Sequence, residues 1–195
     1  MLRAARESDV EMIRTWRNHP KTRGASIHTA YITPEGHAQW WSNVQSDPAR
    51  RVLIFDYRGN DSGVVTFNDH DPFGGTAEWG FFLDVDGLEA RGELLPAWME
   101  LEKAAVSYAF EEMGLRAFGG RTLAWNKPVI ALHKRFGFIE IPSRRYTVQV
   151  DGADQLVVWT ELERPARADL PSDRQALPTW SSSQAATNAS SRHAS

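Results

Sequence analysis

The spacing of apolar and polar positions changes several times along the chain, and each change marks an element. Residues 2–4 read as a short strand, after which Ser8 with Glu11 three positions on forms a capping box for a helix through Asn18. His19-Pro20 stops that helix. Thr33 as N-cap and Pro34 at the first helical position open a second helix, whose Trp40, Trp41 and Val44 face inward. The period then shortens. Residues 51–57, 63–67 and 76–83 are β-rich runs separated by Gly, Asn and Asp turns, the pattern of an antiparallel meander.

The strongest helical pattern follows, over 96–113, with Gly114 as its C-terminal cap. Glu100, Lys103, Ser107 and Glu111 make a single solvated stripe, so this helix is expected to lie buried on a sheet. Residues 117–124 form a further strand, Asn126 caps a helix ending at Gly137, and 138–141 and 146–161 supply closing strands around an Asp151-Gly152 turn. The predicted order is β-α-α-β-β-β-α-β-α-β-β, an α+β arrangement. No repeat interrupts it.

The last 32 residues behave differently. Residues 164–195 hold seven Ser, seven Ala and three Pro, with only Leu170, Leu177 and Trp180 as large apolar side chains, which is too little to build a core. The expected division is therefore a folded domain over 1–163 and a disordered tail over 164–195, through which Trp180 is an alternative docking point for a partner. The tail's four Arg against two Asp leave residues 1–163 with a net charge of −5, against −3 for the whole chain.

Composition removes several chemistries. There is no cysteine, so disulfides, thiolate metal sites and cysteine nucleophiles are absent, leaving His and carboxylates as the available metal ligands. Asn68-Asp69-His70-Asp71 reads as a polar turn, and no metal is expected. Basic and acidic residues are interspersed, which gives no footprint for nucleic acid, and no apolar run is long enough for a leader or a membrane span. A cytoplasmic protein without nucleic-acid or membrane partners is the expectation.

Two local motifs add chemistry to that order. Residues 125–138 (WNKPVIALHKRFGF) contain Asn126, Leu132, His133, Gly137 and Phe138 in the spacing Asn-x₅-Leu-His-x₃-Gly-Phe. Trp16-Arg17-Asn18, Thr33-Pro34-Glu35-x-His37 with Trp40, and Ala77-Glu78-Trp79-Gly80-Phe81 form the second set. Together they resemble the GNAT superfamily of acyl-CoA-dependent N-acyltransferases, in the branch of ribosomal-protein and pseudaminic-acid-pathway aminosugar acetyltransferases. The resemblance covers nearly all of residues 1–163. It implies a GNAT fold, with a central mixed but mostly antiparallel sheet flanked by helices, and acetyl-CoA as co-substrate.

The resemblance also implies roles. Glu78 is placed as the base that takes the proton of the attacking amine, because only a neutral amine has a lone pair to attack with. His133 stands where the family more often has a Tyr beside the departing sulfur, and is placed as the acid. The amide region of Phe82 and Leu83 maps to the oxyanion donor, and Asn126 either bonds the pantetheine arm or caps its helix. Trp16, Arg17, Asn18, His37 and Trp40 make the acceptor wall if the first two helices cover the cleft as in the family, with core packing the first reading for Trp16.

The family's phosphate loop is glycine-rich, and here the sequence departs from it. One register places Arg91-Gly92 at the loop; the other places Pro96-Ala97-Trp98 there, with no glycine and a bulky ring. Arg91, Gly92, Ala97 and Trp98 are accordingly the cofactor-side candidates. The expected activity is direct acetyl transfer to a small-molecule primary amine, an aminosugar first. Acetylation of a protein N-terminus and an acyl-CoA-binding protein without catalysis are the alternatives, and a homodimer is allowed.

Overall fold

The computed structural model describes residues 1–165. The expected tail at 164–195, including Trp180, lies almost wholly outside the described residues. The strands are β1 (Leu2–Ala4), β2 (Arg51–Tyr57), β3 (Asn60–Asp71), β4 (Thr76–Leu83), β5 (Ala117–Leu123), β6 (Ile139–Glu140), β7 (Tyr146–Val150) and β8 (Ala153–Glu163). The helices are α1 (Val10–Asn18), α2 (Pro20–Gly24), α3 (Pro34–Ser46), α4 (Val85–Ala90), α5 (Leu94–Ser107) and α6 (Lys127–Arg135). All eight strands form one sheet in the order β1-β2-β3-β4-β5-β8-β6, with β7 hairpinned onto β8. Every pairing is antiparallel except β4 with β5, so the mixed, mostly antiparallel sheet expected from the sequence is present.

Strand alternation distributes two cores over the two faces of the sheet. Leu53, Phe55, Val65, Phe67, Trp79 and Phe118 pack on one face under α5, whose Ala97, Leu101 and Ala105 recur every four residues, a spacing that Ala109 continues in the turn beyond it. Small side chains on that stripe let the helix lie close to the strands. Val52, Ile54 and Val64 pack on the opposite face with Ile13 of α1 and Trp41 of α3. Covered on both faces, β2 and β3 read as near-continuous apolar runs.

Local chemistry accounts for most of the element ends. Thr33 accepts a hydrogen bond from the Gly36 N–H at 3.1 Å with Pro34 behind it, as the sequence predicts. The expected Ser8 box is not formed; instead Asp9 accepts from the Arg6 N–H at 2.8 Å, because its carboxylate is fixed there by Arg3 at 2.7 Å. Pro20 does stop α1, but it also opens the short α2, since proline's fixed φ suits a first helical turn. α4 was not evident in the sequence. After α5 the chain makes one wider π turn over Tyr108–Glu112 before Gly114, at φ +69°, takes the left-handed exit.

Candidate active site

β4 and β5 part company in the middle of the sheet. They pair at Thr76–Ala117, Ala77–Phe118 and Glu78–Gly119 and no further. Beyond that point β4 stays with β3 as far as Leu83, and β5 stays with β8 as far as Leu123. The inner edges of residues 79–83 and 120–123 therefore have no strand partner, and their backbone N–H and C=O groups are available to something extended inserted between them. β8 lies close against the last paired residue: a Cβ at Gly119 would lie 2.6 Å from the Thr160 carbonyl oxygen and 2.7 Å from the Trp159 indole nitrogen.

A cleft of about 530 Å³ opens over this fork. Its walls include Trp79–Leu83 of β4, Arg121 of β5, Asn126, Pro128 and His133 at α6, Leu94 and Trp98 of α5, and Arg17 and His28 from the segment around α2. Glu78, at the last paired position, is the sole carboxylate in the lining. Its Oε1 accepts from Arg121 Nε at 2.6 Å, so the ion pair spans the two arms of the fork. Burial pulls the Arg121 guanidinium down, but Glu78 and the Tyr146 hydroxyl more than offset it and hold it above its ordinary value. Among the described residues Oε2 of Glu78 has no such bond, which leaves it for an amine.

On the α6 side, Asn126 precedes the helix but makes no side-chain capping bond. Helix capping therefore does not occupy its side chain, and the residue lines the cleft. His133 is 3% exposed. Its Nδ1 lies 3.0 Å from Thr160 Oγ1, and its Nε2 is 3.3 Å from Glu102 Oε1. The expectation that His133 aims a proton at the leaving sulfur needs correction: the ring borders the cleft, but both nitrogens have protein neighbours, because α6 packs its last turn onto α5 and β8.

Of the five residues expected to form the acceptor wall, one reaches the cleft. Arg17 lines it, with Nη2 donating to the His28 carbonyl at 2.9 Å while Nη1 is buried without a partner. Burial, with Arg23 nearby, pulls this guanidinium below its ordinary value. Asn18 exchanges two 2.8 Å bonds with the Ile32 backbone and so pins the loop. His37 is buried and stacks on Trp40 at 4.6 Å, and both belong to the α1–α3 core, where Trp16 also packs. Trp16 and Asn18 border a separate pocket of about 360 Å³. Successive residues of a helix point about 100° apart, so Arg17 faces the cleft while its neighbours cannot.

The cofactor-side candidates divide in the same way. Phe82, Leu83 and Trp98 line the cleft, the last with its ring 5.9 Å from that of Phe81. Ala97 is fully buried against the sheet and faces away. Arg91 and Gly92 lie outside the lining, in the exit turn of α4. Arg91 nonetheless sits at the start of α5, where Nε donates to Glu93 Oε2 and Arg58 Nη1 donates to Oε1, both at 2.9 Å. Arg91, then Arg58, hold the Glu93 carboxyl below its ordinary value. Two guanidiniums against one carboxylate leave this helix start positive.

The sequence reading missed Arg121, Glu102 and Thr160. For Glu102 a signal existed: it is a charged residue off the solvated stripe of α5. No group of three or more His, Asp or Glu positioned for a metal occurs among the described residues, and none of their helices is long and apolar enough to cross a membrane.

Comparison with known proteins follows the same geometry. The acetyltransferase (GNAT) domain model matches residues 1–139. No curated protein sequence matches the chain. Among solved structures, spermidine N-acetyltransferase from Vibrio cholerae in complex with CoA and spermine is similar at 18% identity and a TM-score of 0.70, over 84% of this chain and 94% of that one. Another structure of the Vibrio cholerae enzyme, with manganese ions, is 19% identical with a TM-score of 0.66, over 84% of this chain and 91% of that one. A structure described as a putative phosphinothricin N-acetyltransferase is 22% identical with a TM-score of 0.67, over 84% of this chain and 97% of that one. At such identities the likeness shows the fold.

Proposed function

The chain belongs to the GNAT acetyltransferase family and is an acyl-CoA-dependent N-acetyltransferase, and from that premise we propose that its acceptor is the primary amine of an aminosugar, acetylated by direct transfer with Glu78 as base. The single observation that carries the reading is the fork between β4 and β5 with the Glu78 carboxylate at its apex. The residues present fit acetyl-CoA: an unpaired strand edge at 79–83, an uncapped Asn126 side chain on the opposite wall, and a positive helix start at α5. The last differs from a glycine-rich loop. Pro96 removes one N–H from the first turn of α5, leaving Leu94 and Leu95 as free backbone donors, with Arg91 and Arg58 adding positive charge for a pyrophosphate.

Acetyl-CoA supplies an activated acyl carbon and a thiolate leaving group. Glu78 takes the ammonium proton, directly or through a water, which exposes the nitrogen lone pair for attack on that carbon. Backbone N–H groups along 79–83, Phe82 and Leu83 among them, donate to the carbonyl oxygen as it gains charge. The C–N bond then forms as the C–S bond breaks, and the departing thiolate takes up the second proton that the nitrogen loses on becoming an amide. A thiol of ordinary pKa about 8.5 is a tolerable leaving group unaided, so a His133 that does not face the sulfur is no obstacle. With no cysteine in the chain, a thiol acyl-enzyme does not arise.

The charge of the acceptor end favours a sugar. Of the cations lining the cleft, Lys21 is paired with Glu89 and Arg121 with Glu78, which leaves Arg17 as the one without a carboxylate partner among the described residues. A hydroxyl or phosphate of the acceptor can meet the Arg17 guanidinium where it lines the cleft, whereas a polycation such as the spermine of the Vibrio structure meets like charge there. A basic peptide N-terminus is disfavoured for the same reason.

The test is acetyl-CoA binding followed by tryptophan fluorescence, then CoA thiol release measured with a thiol reagent. Aminosugars, their nucleotide-linked forms, polyamines and peptides serve as acceptors. The cysteine-free chain contributes no background. Saturable micromolar binding with aminosugar turnover is expected, and Arg17→Met should raise the acceptor KM about ten-fold while leaving acetyl-CoA affinity unchanged. No binding at millimolar acetyl-CoA, or faster turnover of spermidine than of every aminosugar, overturns the reading.

A further inference from the structure

A carboxyl group sits in the middle of the core without any use in the mechanism above. Glu102, on α5, has 0% side-chain exposure, and neither of its oxygens has a hydrogen-bond partner. His133 Nε2 lies 3.3 Å from Oε1 and is likewise buried without a hydrogen bond. The other ring nitrogen faces Thr160 Oγ1 at 3.0 Å. Trp79 and Phe138 enclose the imidazole, with ring centroids 5.4 and 5.2 Å away. Among the described residues this is the one ion-pair contact Glu102 makes, and the one polar contact between α5 and α6.

A carboxyl sealed from water is held neutral by a proton or lies against a cation, and the His133 imidazole at 3.3 Å can share that proton or carry that charge. An apolar residue would serve α5 better if the position were merely core, since its neighbours Ala97, Leu101 and Ala105 already form the packing stripe. The carboxyl–imidazole–hydroxyl series also resembles a nucleophile with its base, but Thr160 does not line the cleft, so its hydroxyl has no acyl group to attack. What the arrangement does touch is α6: His133 lies two turns after Asn126, and Asn126, Pro128 and Val129 form one wall of the cleft.

We infer that Glu102 is a positioning residue for acyl-CoA binding: its carboxyl shares one proton with His133 Nε2, holds the opposite nitrogen on Thr160, and so braces α6 against α5 across the fork. The inference rests on the acyl-CoA reading for its functional consequence. The proton arrangement itself does not, because it exists in the protein without ligand.

The experiment has two readouts on the full chain. Long-range ¹H–¹⁵N spectra of histidine-labelled protein, without ligand, report each ring nitrogen, with His133→Asn identifying the signals. Glu102→Gln is expected to shift the Nε2 resonance of His133 and leave Nδ1 in place; Thr160→Val is expected to do the reverse. Acetyl-CoA affinity is the second readout: Glu102→Leu should weaken binding at least ten-fold. Glu102→Gln, whose amide oxygen still accepts from Nε2, should recover it to within about three-fold, with kcat at saturating acetyl-CoA similarly recovered. Unchanged His133 signals in Glu102→Gln, or wild-type affinity in Glu102→Leu, overturns the inference. If Glu102→Leu does not fold, the Glu102→Gln and Thr160→Val spectra decide. If the wild-type protein does not bind acetyl-CoA, the proposed function fails, and the spectra still judge the shared proton.

Discussion

Glu78 and Arg121 join the two strands at the point where the sheet opens: Arg121 Nε donates to Glu78 Oε1 at 2.6 Å, and Glu78–Gly119 is the last pair that β4 and β5 form. The guanidinium fixes one carboxylate oxygen and thereby aims the other into the cleft. Glu78→Gln keeps the size of the side chain and removes the base, so turnover should fall at least ten-fold, with acetyl-CoA affinity unchanged by fluorescence titration. Equal rates in the variant would remove Glu78 from the mechanism.

Asn126 makes no capping bond, and this separates two effects usually confounded at a helix start. Loss of a true Asn cap costs about 1 kcal/mol. Here Asn126→Ala should change the unfolding free energy by less than about 0.5 kcal/mol, the usual range away from specific contacts. Acetyl-CoA affinity should nevertheless fall several-fold. Chemical denaturation beside calorimetric binding distinguishes the outcomes, and a stability loss of a full kcal/mol would restore the capping role.

Gly119, the last β5 residue paired with β4, has no room for a Cβ, which would meet the Thr160 carbonyl oxygen and the buried Trp159 indole of β8. Gly119→Ala should destabilise the protein by about 1–3 kcal/mol, the cost of overpacking a site that cannot yield. Thermal unfolding monitored by circular dichroism measures it; a melting temperature equal to that of the parent would mean that β8 can move away.

His37 supplies a pH dependence. Burial first, then Arg14, push its imidazole below the ordinary value of 6.5, with Glu11 opposing them. The unfolded chain therefore binds a proton near pH 6.5 that the folded chain resists, so stability is full above that value and falls as pH drops below it. The slope from this one proton cannot exceed about 1.4 kcal/mol per pH unit. Urea unfolding at pH 7.5 and 5.5 should show a loss that His37→Gln reduces. A loss of the same size in the variant would assign the effect to other groups.

Particular residues show how far the sequence could be read. Thr33-Pro34 capped α3 as expected, because cap, proline and first turn lie within four residues of each other. Glu78 shares a strand face with Gly80 and Phe82 by alternation alone, and Phe82 duly packs with the α1–α3 core. By contrast Trp16, Asn18, His37 and Trp40 carry the residue types of a binding wall yet point elsewhere. Their directions depend on how α1 and α3 rotate to bury Ile13 and Trp41, which no short stretch of sequence contains.

The chain's local patterns thus determined the order of the strands and longer helices, though not the short α2 and α4, together with the meander and the absence of thiol chemistry, since each follows from the residues a few positions apart or from composition. Tertiary structure alone decided the rest. It placed Arg121, 43 residues away, on Glu78, turned His133 toward Thr160 and Glu102, and buried Ala97 away from the cleft. Those placements depend on where β5 leaves β4 and on how α5 and α6 settle over the gap. The physical reason is that a buried polar group takes whatever partner the packed fold brings to it, and distance along the chain does not limit the choice.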